Sequence, residues 1–399
     1  MELSPQQDRA AERVSAWLRR PRSERPQVFR LFGCAGTGKT SLAQKLVEDV
    51  SGEVYFTAPT GKAAYVLGQK GCRSPMTCHK LIYLPRSKSA ARLVEMEEKL
   101  AGMSPKDPLR PRLERDIQEE RQNLARPAFQ LNLDSPLKRA ALVVLDEASM
   151  VDQQMGEDLL SFGCPILALG DPAQLPPVRG DSFFMREAPD VELTEIHRQA
   201  RDNPIIRLAT MIRNQEMPRT GRYGESEVLP VGAMNQQMAM DADQIIVGRN
   251  KTRQAWNDRM RQLTYGDTDR MPREGDRLCC KRNSMEHPFL NGAIWNVLSL
   301  GDNFGSHGWM TLESEVDKVQ ATALVHNYRF MQEDVPFYER LDAEDFDYGY
   351  AITAHSSQGS QWRDVLVYDQ GSTFGTQRWR WLYTAATRAS DRVRIVRPS

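Results

Sequence analysis

The sequence lacks any apolar run that approaches the length of a membrane span. It also turns polar within a few residues of Met1, which is not the pattern of a secretory signal. Both absences argue against a membrane partner. We therefore expect a cytoplasmic protein, in a bacterial or phage-infected cell.

The sequence has few cysteines, and their spacing argues against the common metal sites. There are six, with no C-x-x-C pair and no spacing to histidine that is typical of zinc or an iron–sulfur cluster. They are Cys34, Cys72, Cys78, Cys164, Cys279 and Cys280. We interpret all six as reduced thiols.

The chain also lacks net charge, because 53 basic residues balance 53 acidic residues. Global charge therefore does not indicate a polyanionic partner, and any nucleic-acid surface must be a local patch. No internal repeat or low-complexity tract is visible. At 399 residues the chain is long enough for two or three cores, which favours a multidomain protein.

What the sequence does contain is organised around residues 33–40, which read G-x-x-x-x-G-K-T. An apolar strand-like run precedes this loop, and a helix-like run with one apolar face follows it. Glycines let the backbone N–H groups point at phosphate, while Lys39 reaches the β- and γ-phosphates and Thr40 can bind Mg²⁺. The pattern predicts ATP binding by Gly36, Thr37, Gly38, Lys39, Thr40 and Ser41.

Ser4 and Gln7 form the pattern of a capping box, with Pro5 in the first turn of a helix. This structural role is sufficient to explain Gln7. A second role, in which Gln7 reads the edge of an adenine just ahead of the phosphate loop, is equally open on the residues alone.

Polar residues follow two further apolar runs. Asp146 and Glu147 follow the run 141–145; Asp146 would hold the metal through water, and Glu147 would orient or deprotonate the attacking water. Acidic pairs at strand ends are also common caps, but the phosphate loop favours catalysis here. Gln174 follows the run 166–169 and can reach a γ-phosphate. Strands that alternate with helices and end in polar loops predict a doubly wound parallel sheet.

A second α/β unit begins after Arg198, with a helix over 203–214 and a strand at 245–247. Its last helix is apolar, around Trp379, Leu382, Tyr383 and Ala386, and leads to Arg388, far in sequence from the phosphate loop. An arginine delivered from a second domain makes hydrolysis depend on domain closure, and it can be worth about 10³ to 10⁵ in rate. Arg388 and Arg198 are the two candidates for this role.

Two segments differ in character from these α/β units. Residues 85–136 carry two helical apolar stripes, which predict a charged helical hairpin. One stripe is Leu93, Met96 and Leu100, and the other is Leu109, Leu113, Ile117 and Leu124. A solvated arm with little beyond a structural use is at least as good an interpretation as a binding role. Residues 272–345 carry short β-like runs at 277–281, 294–298 and 322–325, which predict a small barrel.

An ordered set of motifs resembles the superfamily 1B helicases, in their RecD-like and Dda-like 5′-to-3′ branch. The motifs are Gln7, GCAGTGKTS at 33–41, TAPTGKAA at 57–64, TCHKL at 77–81, DEAS at 146–149, GDPAQLPPV at 170–178, LTEIHRQ at 193–199, AITAHSSQGSQW at 351–362 and YTAATRAS at 383–390. One such motif can arise by chance, but the ordered set is specific and runs over most of the chain.

The resemblance implies an α/β fold of two RecA-like P-loop NTPase motor domains, with a helical insertion in the first and a small SH3-like β-barrel insertion in the second. The implied boundaries are 1–84 and 137–200 for the first motor domain, 85–136 for the helical or pin subdomain, 201–271 and 346–399 for the second motor domain, and 272–345 for the SH3-like insertion. ATP would bind between the motor domains.

The resemblance also implies roles for single residues. Those that would handle ATP and Mg²⁺ are Lys39, Thr40, Asp146, Glu147, Gln174, Arg198 and Arg388, with Gln7 on the adenine and Gly359 on the nucleotide. Those that would line the track for single-stranded DNA are Pro59, Thr60, Lys62, Thr77 and His79 on the first motor domain, and Thr353, His355, Ser357 and Gln358 on the second.

Phe129 is the candidate for the wedge that holds the terminal base pair apart. Trp362 and Trp381 can stack on bases, but ordinary core packing is the favoured interpretation. Two positions depart from the pattern of the family: Ser356 stands where relatives commonly carry lysine, and Gln361 where they carry an acidic residue. These departures affect one DNA contact and the contact to the nucleotide sugar, and not the phosphate machinery.

The resulting hypothesis is an ATP-dependent DNA helicase that moves 5′-to-3′ on single-stranded DNA and opens duplex at single-strand/double-strand junctions. Single-strand-binding, replication or recombination proteins are the possible protein partners, and replication, recombination or repair the expected setting. The first rival is an accessory translocase that does not open duplex by itself. A P-loop phosphotransferase is a second rival, and intact catalytic carboxylates disfavour a passive binding module. No separate acidic constellation indicates a nuclease.

Overall fold

The computed structural model describes residues 3–85, 91–125, 129–177, 180–195, 203–284, 286–301, 305–335, 340 and 343–397. The chain divides into two compact units. The first unit comprises Met1–Ile82, Asp134–Thr268 and Tyr348–Ser399, and the second comprises Tyr83–Leu133 and Asp269–Asp347. The finer division into two motor domains and two insertions stays a prediction.

A six-stranded parallel sheet forms around the predicted phosphate loop. In spatial order its strands are Met76–Thr77, Val54–Ala58, Leu142–Leu145, Ile166–Gly170, Val28–Gly33 and Val191–Leu193. The two strands at its centre, Leu142–Leu145 and Ile166–Gly170, are buried along their whole length, as expected when both faces of a sheet are covered. Because the strands are parallel, the loops that follow them meet at one edge of the sheet.

The helices around this sheet begin at recognisable caps. They are Pro5–Arg19, Lys39–Val47, Gly61–Gln69, Cys78–Ile82 and Gln153–Ser161, with 3₁₀ turns at Pro136–Arg139 and Ala148–Met150. The predicted capping box is confirmed: Ser4 Oγ accepts from the Gln7 N–H at 3.3 Å, and Gln7 Oε1 accepts from the Ser4 N–H at 3.0 Å. This box orients the first helix, whose apolar face packs into the core of the sheet.

A second six-stranded sheet lies in the same unit. In spatial order its strands are Ala351–Thr353, Gln244–Val247, Trp362–Tyr368, Ala389–Arg397, Ser226–Pro230 and Gly221–Tyr223. All neighbours are parallel except the last pair, which forms an antiparallel edge. Its helices are Pro204–Arg213, Gln236–Met240, Asn250–Tyr265 and Arg378–Ala386, with 3₁₀ turns at Val231–Ala233 and Gly371–Gln377. Two parallel sheets in one chain confirm the predicted α/β class.

In the second unit, a helical hairpin stands on a two-stranded antiparallel ribbon. Its elements are Tyr83–Pro85, Ala91–Gly102, Arg110–Ala125 and Phe129–Leu131. Leu93 and Ile117 are buried between the two helices, so the predicted apolar stripes form a small core. Leu109 was predicted in the same stripe, but it is 62% exposed because it precedes the first residue of its helix. The side chain of Leu124 lies outside the described residues.

The rest of the second unit contains a five-stranded sheet and a short helix. The sheet order is Gln320–His326, His307–Ser314, Ile294–Leu300, Arg277–Cys280 and Phe346–Tyr348, and the helix is Tyr328–Met331. The strand His307–Ser314 was not predicted, because Gly308 and Ser314 occupy two of its buried positions and weaken the apolar alternation. The SH3-like assignment of this segment stays a prediction.

Within the described part of the chain, no helix combines the length and the apolar character that a membrane crossing requires.

Candidate active site and nucleic-acid interface

The loop between strand Val28–Gly33 and helix Lys39–Val47 has the geometry that its glycines require. Gly36 and Gly38 adopt left-handed φ angles of 81° and 75°, which are costly for residues with a Cβ. At Gly33 a Cβ would lie 2.7 Å from Thr37 Oγ1 and 2.8 Å from the Leu193 carbonyl oxygen. The glycine pattern in the sequence is therefore explained by backbone conformation at two positions and by close packing at the third.

Lys39 and Thr40 lie at the start of the helix that follows this loop. Lys39 Nζ donates to the carbonyl oxygens of Gly33 at 2.6 Å and Cys34 at 3.1 Å, so the loop itself holds the ammonium group. Thr40 Oγ1 donates to Asp146 Oδ2 at 3.0 Å. A hydroxyl and a carboxylate side by side are oxygen donors of the type that Mg²⁺ uses when substrate phosphates supply further ligands. These two residues therefore fit a Mg²⁺ ion bound together with a nucleotide.

Asp146 and Glu147 differ in their surroundings although they are adjacent. The Glu147 N–H donates to Asp146 Oδ1 at 2.8 Å, and Glu147 adopts a left-handed φ of 53°, which is uncommon for a residue with a side chain. Burial raises the pKa of Glu147 above its ordinary value; Arg388 opposes this rise, and the Asp146 carboxylate adds to it. A carboxyl whose pKa is raised is a stronger base once it is ionised, as the predicted role requires.

A cleft of about 310 Å³ is lined by four of the five predicted catalytic residues, which are Lys39, Glu147, Gln174 and Arg388. Its lining includes the phosphate loop, Glu147, Gln174, residues 359–361 and Arg388. The Arg388 guanidinium is held by two segments: Nε donates to the Thr384 carbonyl oxygen at 3.0 Å, and Nη1 donates to that of Ser360, in the loop before strand Trp362–Tyr368, at 3.3 Å. Segments that connect strands of the second sheet therefore close a cleft that opens at the first sheet.

Three further predicted nucleotide residues have defined positions. Gln7 is buried, and its Nε2 donates to the Thr37 carbonyl oxygen at 3.1 Å, so it both caps its helix and contacts the phosphate loop. Gln174 Oε1 is buried without a hydrogen-bond partner among the described residues, so this acceptor is available to a water or hydroxyl group. Gly359 has a φ of 71°, and a Cβ there would lie 2.8 Å from Ala63 Cβ. Arg198 lies outside the described residues.

Around the first sheet, the predicted DNA-binding residues lie at or next to the first residues of helices. Thr60 Oγ1 accepts from the Ala63 N–H at 3.2 Å, and Thr77 Oγ1 accepts from the Lys80 N–H at 3.1 Å, so both hydroxyls cap helices. Lys62 Nζ lies 4.1 Å from the ring centroid of Trp362. Burial lowers the pKa of His79, which favours its neutral form. Pro59, the fifth residue of the group, is partly exposed at the end of its strand.

On the second motor segment, the predicted DNA residues divide into two groups. Thr353 and His355 are partly exposed, and burial lowers the pKa of His355. Ser357 and Gln358 are instead buried; Ser357 Oγ donates to the Ala354 carbonyl oxygen at 2.8 Å, and Gln358 Nε2 donates to that of Leu175 at 2.8 Å. In this conformation these two side chains hold the loop and do not face solvent.

The aromatic candidates are also located by their burial. Trp381 is fully buried and Trp362 nearly so, which confirms core packing as the interpretation of both. Phe129 is half-buried in its strand, with its ring centroid 6.5 Å from that of Tyr83. It does not stand out alone as an exposed aromatic wedge. Of the two positions that depart from the family, Gln361 lines the cleft and Ser356 Oγ lies 3.0 Å from Thr353 Oγ1.

The sequence analysis gave no role to Tyr383, which lies next to the cleft. Its hydroxyl contacts the phosphate loop and Asp171 together. Tyr383 is the first residue of the motif at 383–390, but its position in an apolar helix was interpreted only as packing. The signal that could have indicated a role for Tyr383 is its hydroxyl group, which is polar on an otherwise apolar helix.

Comparison with other proteins is consistent with this geometry. Residues 2–233 match the AAA domain family, and residues 348–396 match the UvrD-like helicase C-terminal domain family. The ATP-dependent RecD2 DNA helicase of Deinococcus radiodurans is 27% identical over 91% of this chain and 46% of its own length. The chain thus spans about half the length of this curated relative.

Solved structures share the fold. Bacteroides Pif1 bound to single-stranded DNA is similar with a TM-score of 0.56 at 17% identity, over 99% of this chain and 92% of that one. The Pif1 helicase of Candida albicans is similar with a TM-score of 0.53 at 17% identity, over 99% and 94% of the two chains. Since the AAA domain model covers more than half of its length, the chain belongs to the AAA domain family, and the UvrD-like helicase C-terminal domain that follows supports its resemblance to the superfamily 1B helicases.

Proposed function

We propose that this chain hydrolyses ATP to move 5′-to-3′ along single-stranded DNA and to unwind duplex DNA. The observation that carries the proposal is the cleft in which the phosphate loop and the Asp146–Glu147 pair face Arg388. Each of these parts is required for ATP hydrolysis that depends on closure between two domains.

The residues of the cleft divide the work of hydrolysis. The phosphate loop and Lys39 bind the phosphates of ATP. Thr40 and Asp146 would hold Mg²⁺, which would neutralise phosphate charge. Glu147 orients and deprotonates the attacking water, and Gln174 accepts a hydrogen bond from a group at the γ-phosphate. Arg388, and Arg198 by the motif, stabilise the charge that develops during transfer.

Movement on DNA follows from coupling this cleft to the strand-binding loops. ATP draws residues 359–361 and 387–388 towards the phosphate loop, and hydrolysis releases them. Gly359 packs against Thr60 and Ala63, so the loop that closes the cleft also touches the predicted DNA track. Alternating grip on two halves of the track moves the strand in one direction, provided that the two states differ in DNA affinity.

The choice of DNA as the track is supported by relatives. Bacteroides Pif1 binds single-stranded DNA, another Pif1 structure concerns unwinding of forked double-stranded DNA, and a third contains ADP-AlF3 with single-stranded DNA. By analogy we propose single-stranded DNA and its junctions with duplex as the partners of this chain, and ATP with Mg²⁺ as its nucleotide substrate and metal. Proteins of replication, recombination or repair are the proposed protein partners.

A second candidate is a DNA-dependent translocase that separates strands only within a larger complex. It is favoured by Phe129, the wedge candidate, which is half-buried beside Tyr83.

The experiment that separates these functions compares two matched duplexes, one with a 5′ single-stranded tail and one with a 3′ tail. Opening of the 5′-tailed duplex alone, with ATP and Mg²⁺, is the expected result. Lys39→Ala is expected to abolish it, while Lys45→Ala, at an exposed position on the same helix, retains it. Opening of the 3′-tailed duplex alone contradicts the direction. Opening of neither, with ATP turnover still stimulated by DNA, supports the translocase, and turnover indifferent to DNA supports a phosphotransferase.

A further inference from the structure

The hydroxyl of Tyr383 connects the phosphate loop to the loop that follows strand Ile166–Gly170. It accepts a hydrogen bond from the Ala35 N–H at 2.9 Å and donates one to Asp171 Oδ2 at 2.8 Å. Tyr383 is 2% exposed, so water does not compete for this hydroxyl. Both its donor and its acceptor capacity are therefore used within the protein.

The three residues in this contact come from distant parts of the chain. Ala35 and Asp171 belong to loops at the edge of the first parallel sheet, whereas Tyr383 lies on helix Arg378–Ala386, between strands Trp362–Tyr368 and Ala389–Arg397 of the second sheet. The next residue, Thr384, accepts from the Leu175 N–H through Oγ1 at 2.8 Å. Adjacent residues on one helix thus hold both the phosphate loop and the loop that carries Gln174.

The same helix also determines the position of Arg388. Arg388 Nε donates to the Thr384 carbonyl oxygen at 3.0 Å, and its Nη2 contacts Thr387 Oγ1 at 3.2 Å. A displacement of Tyr383 or Thr384 therefore moves the Thr384 carbonyl oxygen, to which the Arg388 guanidinium donates. The path from Ala35 through Tyr383 and Thr384 to Arg388 consists of hydrogen bonds and a single helical turn.

The charge state of the phenol is determined by its surroundings. Burial and the Asp171 carboxylate raise the pKa of Tyr383 well above its ordinary value, so the hydroxyl stays protonated and continues to donate. A second cation lies close by: Arg213 donates to Cys34 Sγ at 2.9 Å and is attracted by the same carboxylate. The Tyr383 hydroxyl thus remains a hydrogen-bond donor to the buried Asp171 carboxylate, and the strength of this hydrogen bond depends on its geometry.

We infer that Tyr383 is a positioning residue for ATP hydrolysis, which transmits the conformation of the phosphate loop to the helix that places Arg388. The inference rests on the proposed function. Phosphate binding reorients the N–H groups of the loop, and the Ala35 N–H is one of them. A change in the direction of this N–H alters its hydrogen bond to Tyr383, and the helix carries that change to Arg388.

The test is Tyr383→Phe, which removes one oxygen and keeps the ring. We expect kcat for DNA-stimulated ATP hydrolysis to fall about 10- to 100-fold, because a hydrogen bond to a buried charge is lost. The dissociation constant of a fluorescent ATP analogue should change less than about threefold, since the phosphate-binding groups remain. Tyr223→Phe is the matched control, because its hydroxyl donates to the Arg219 carbonyl oxygen on the surface.

A double substitution tests the path to Arg388. If Tyr383 acts through Arg388, then Tyr383→Phe combined with Arg388→Ala loses no more turnover than Arg388→Ala alone. Additive losses overturn the inference. A rise in the dissociation constant of Tyr383→Phe as large as its fall in kcat, or no change in kcat, overturns it as well. Thermal melts verify that each variant is folded at the assay temperature. If Tyr383→Phe is not folded, Asp171→Asn replaces it, because it weakens the same hydrogen bond from the acceptor side.

The outcome also distinguishes this inference from the function on which it rests. An unsubstituted protein without DNA-stimulated ATP turnover overturns both. Normal turnover in the unsubstituted protein, with full turnover in Tyr383→Phe, overturns the inference and leaves the proposed function intact.

Discussion

Arg388 is buried at the rim of the cleft, and its charge lowers the pKa of Glu147 against the effect of burial. The guanidinium is held by the carbonyl oxygens of Thr384 and Ser360 and makes no described hydrogen bond to the phosphate loop. Its contribution should therefore appear when charge develops on the transferred phosphoryl group, and not when ATP binds.

Arg388→Ala should leave nucleotide affinity close to that of the unsubstituted protein and lower hydrolysis by about 10³- to 10⁵-fold. Steady-state ATP turnover and titration with a fluorescent nucleotide measure the two effects separately. Arg363→Ala is the control, because Arg363 is exposed and pairs with Asp391 on the surface. A loss of only a few-fold in Arg388→Ala would show that another residue is the arginine finger.

Glu147 should give the reaction a pH dependence with a defined sign. Burial disfavours its ionised form, so its pKa lies above that of an ordinary glutamate, and the carboxylate needed as base forms only at higher pH. We expect kcat/KM, which reports the free enzyme, to rise with pH along an acid limb that lies above the ordinary glutamate range. Glu147→Gln should remove this limb together with most of the turnover. A limb at the ordinary glutamate pKa would contradict the assignment.

At the scale of elements, Asp146, Glu147 and Gln174 lie on loops that follow parallel strands, and Gly359 packs closely against helix Gly61–Gln69. Its φ of 71° and the position of Ala63 leave no room for a Cβ, which would lie 2.8 Å from Ala63 Cβ. The close contact at Gly359 therefore holds the loop 359–361 against helix Gly61–Gln69.

Gly359→Ala should destabilise the protein and slow ATP turnover. Gly266→Ala is the matched control, since Gly266 also has a positive φ of 80° but nothing within 4 Å of its Cβ position. The cost of placing an alanine at a positive φ is common to both variants. The difference between their losses of unfolding free energy therefore measures the steric clash of the new Cβ with Ala63. We expect the loss of unfolding free energy to be about 1 to 3 kcal/mol larger for Gly359→Ala, as measured by denaturant titration. Equal losses of unfolding free energy in the two variants would mean that the loop 359–361 moves away from helix Gly61–Gln69 at little cost.

At the scale of the whole molecule, a motor needs two states that bind its track differently. Because the chain has no net charge, the proposed DNA binding would depend on a local set of groups such as Thr60, Lys62 and His355. In the proposed mechanism, nucleotide acts on those groups through the cleft that residues 359–361 line. A nucleotide with no differential effect on the two states would not move the strand.

We therefore expect the affinity for single-stranded DNA to differ by about tenfold or more between ADP and a non-hydrolysable ATP analogue. Fluorescence anisotropy with a labelled oligonucleotide measures this directly. Lys39→Ala should reduce the difference, because the phosphates are no longer sensed. Equal affinities in the two nucleotide states of the unsubstituted protein would contradict the ratchet.

Features encoded in short stretches of chain were predictable. The glycines at 36 and 38 permit the left-handed backbone that is found there. The apolar run 142–145 favours a strand covered on both faces, and the capping box at Ser4 favours the start of a helix. Each of these depends on neighbours within a few residues, so the sequence alone determined them. The family motifs then predicted a parallel-sheet α/β chain of the superfamily 1B type.

Only the tertiary structure decided which of the distant residues meet, and which way their side chains point. Ser357 and Gln358 belong to a motif predicted to face DNA, yet both are buried because the loop turns them towards Ala354 and Leu175. Tyr383 was interpreted as part of an apolar face, yet its hydroxyl meets Ala35 and Asp171. Composition and periodicity report how often a residue type is buried, whereas the partner of a buried polar atom depends on how separate segments pack together.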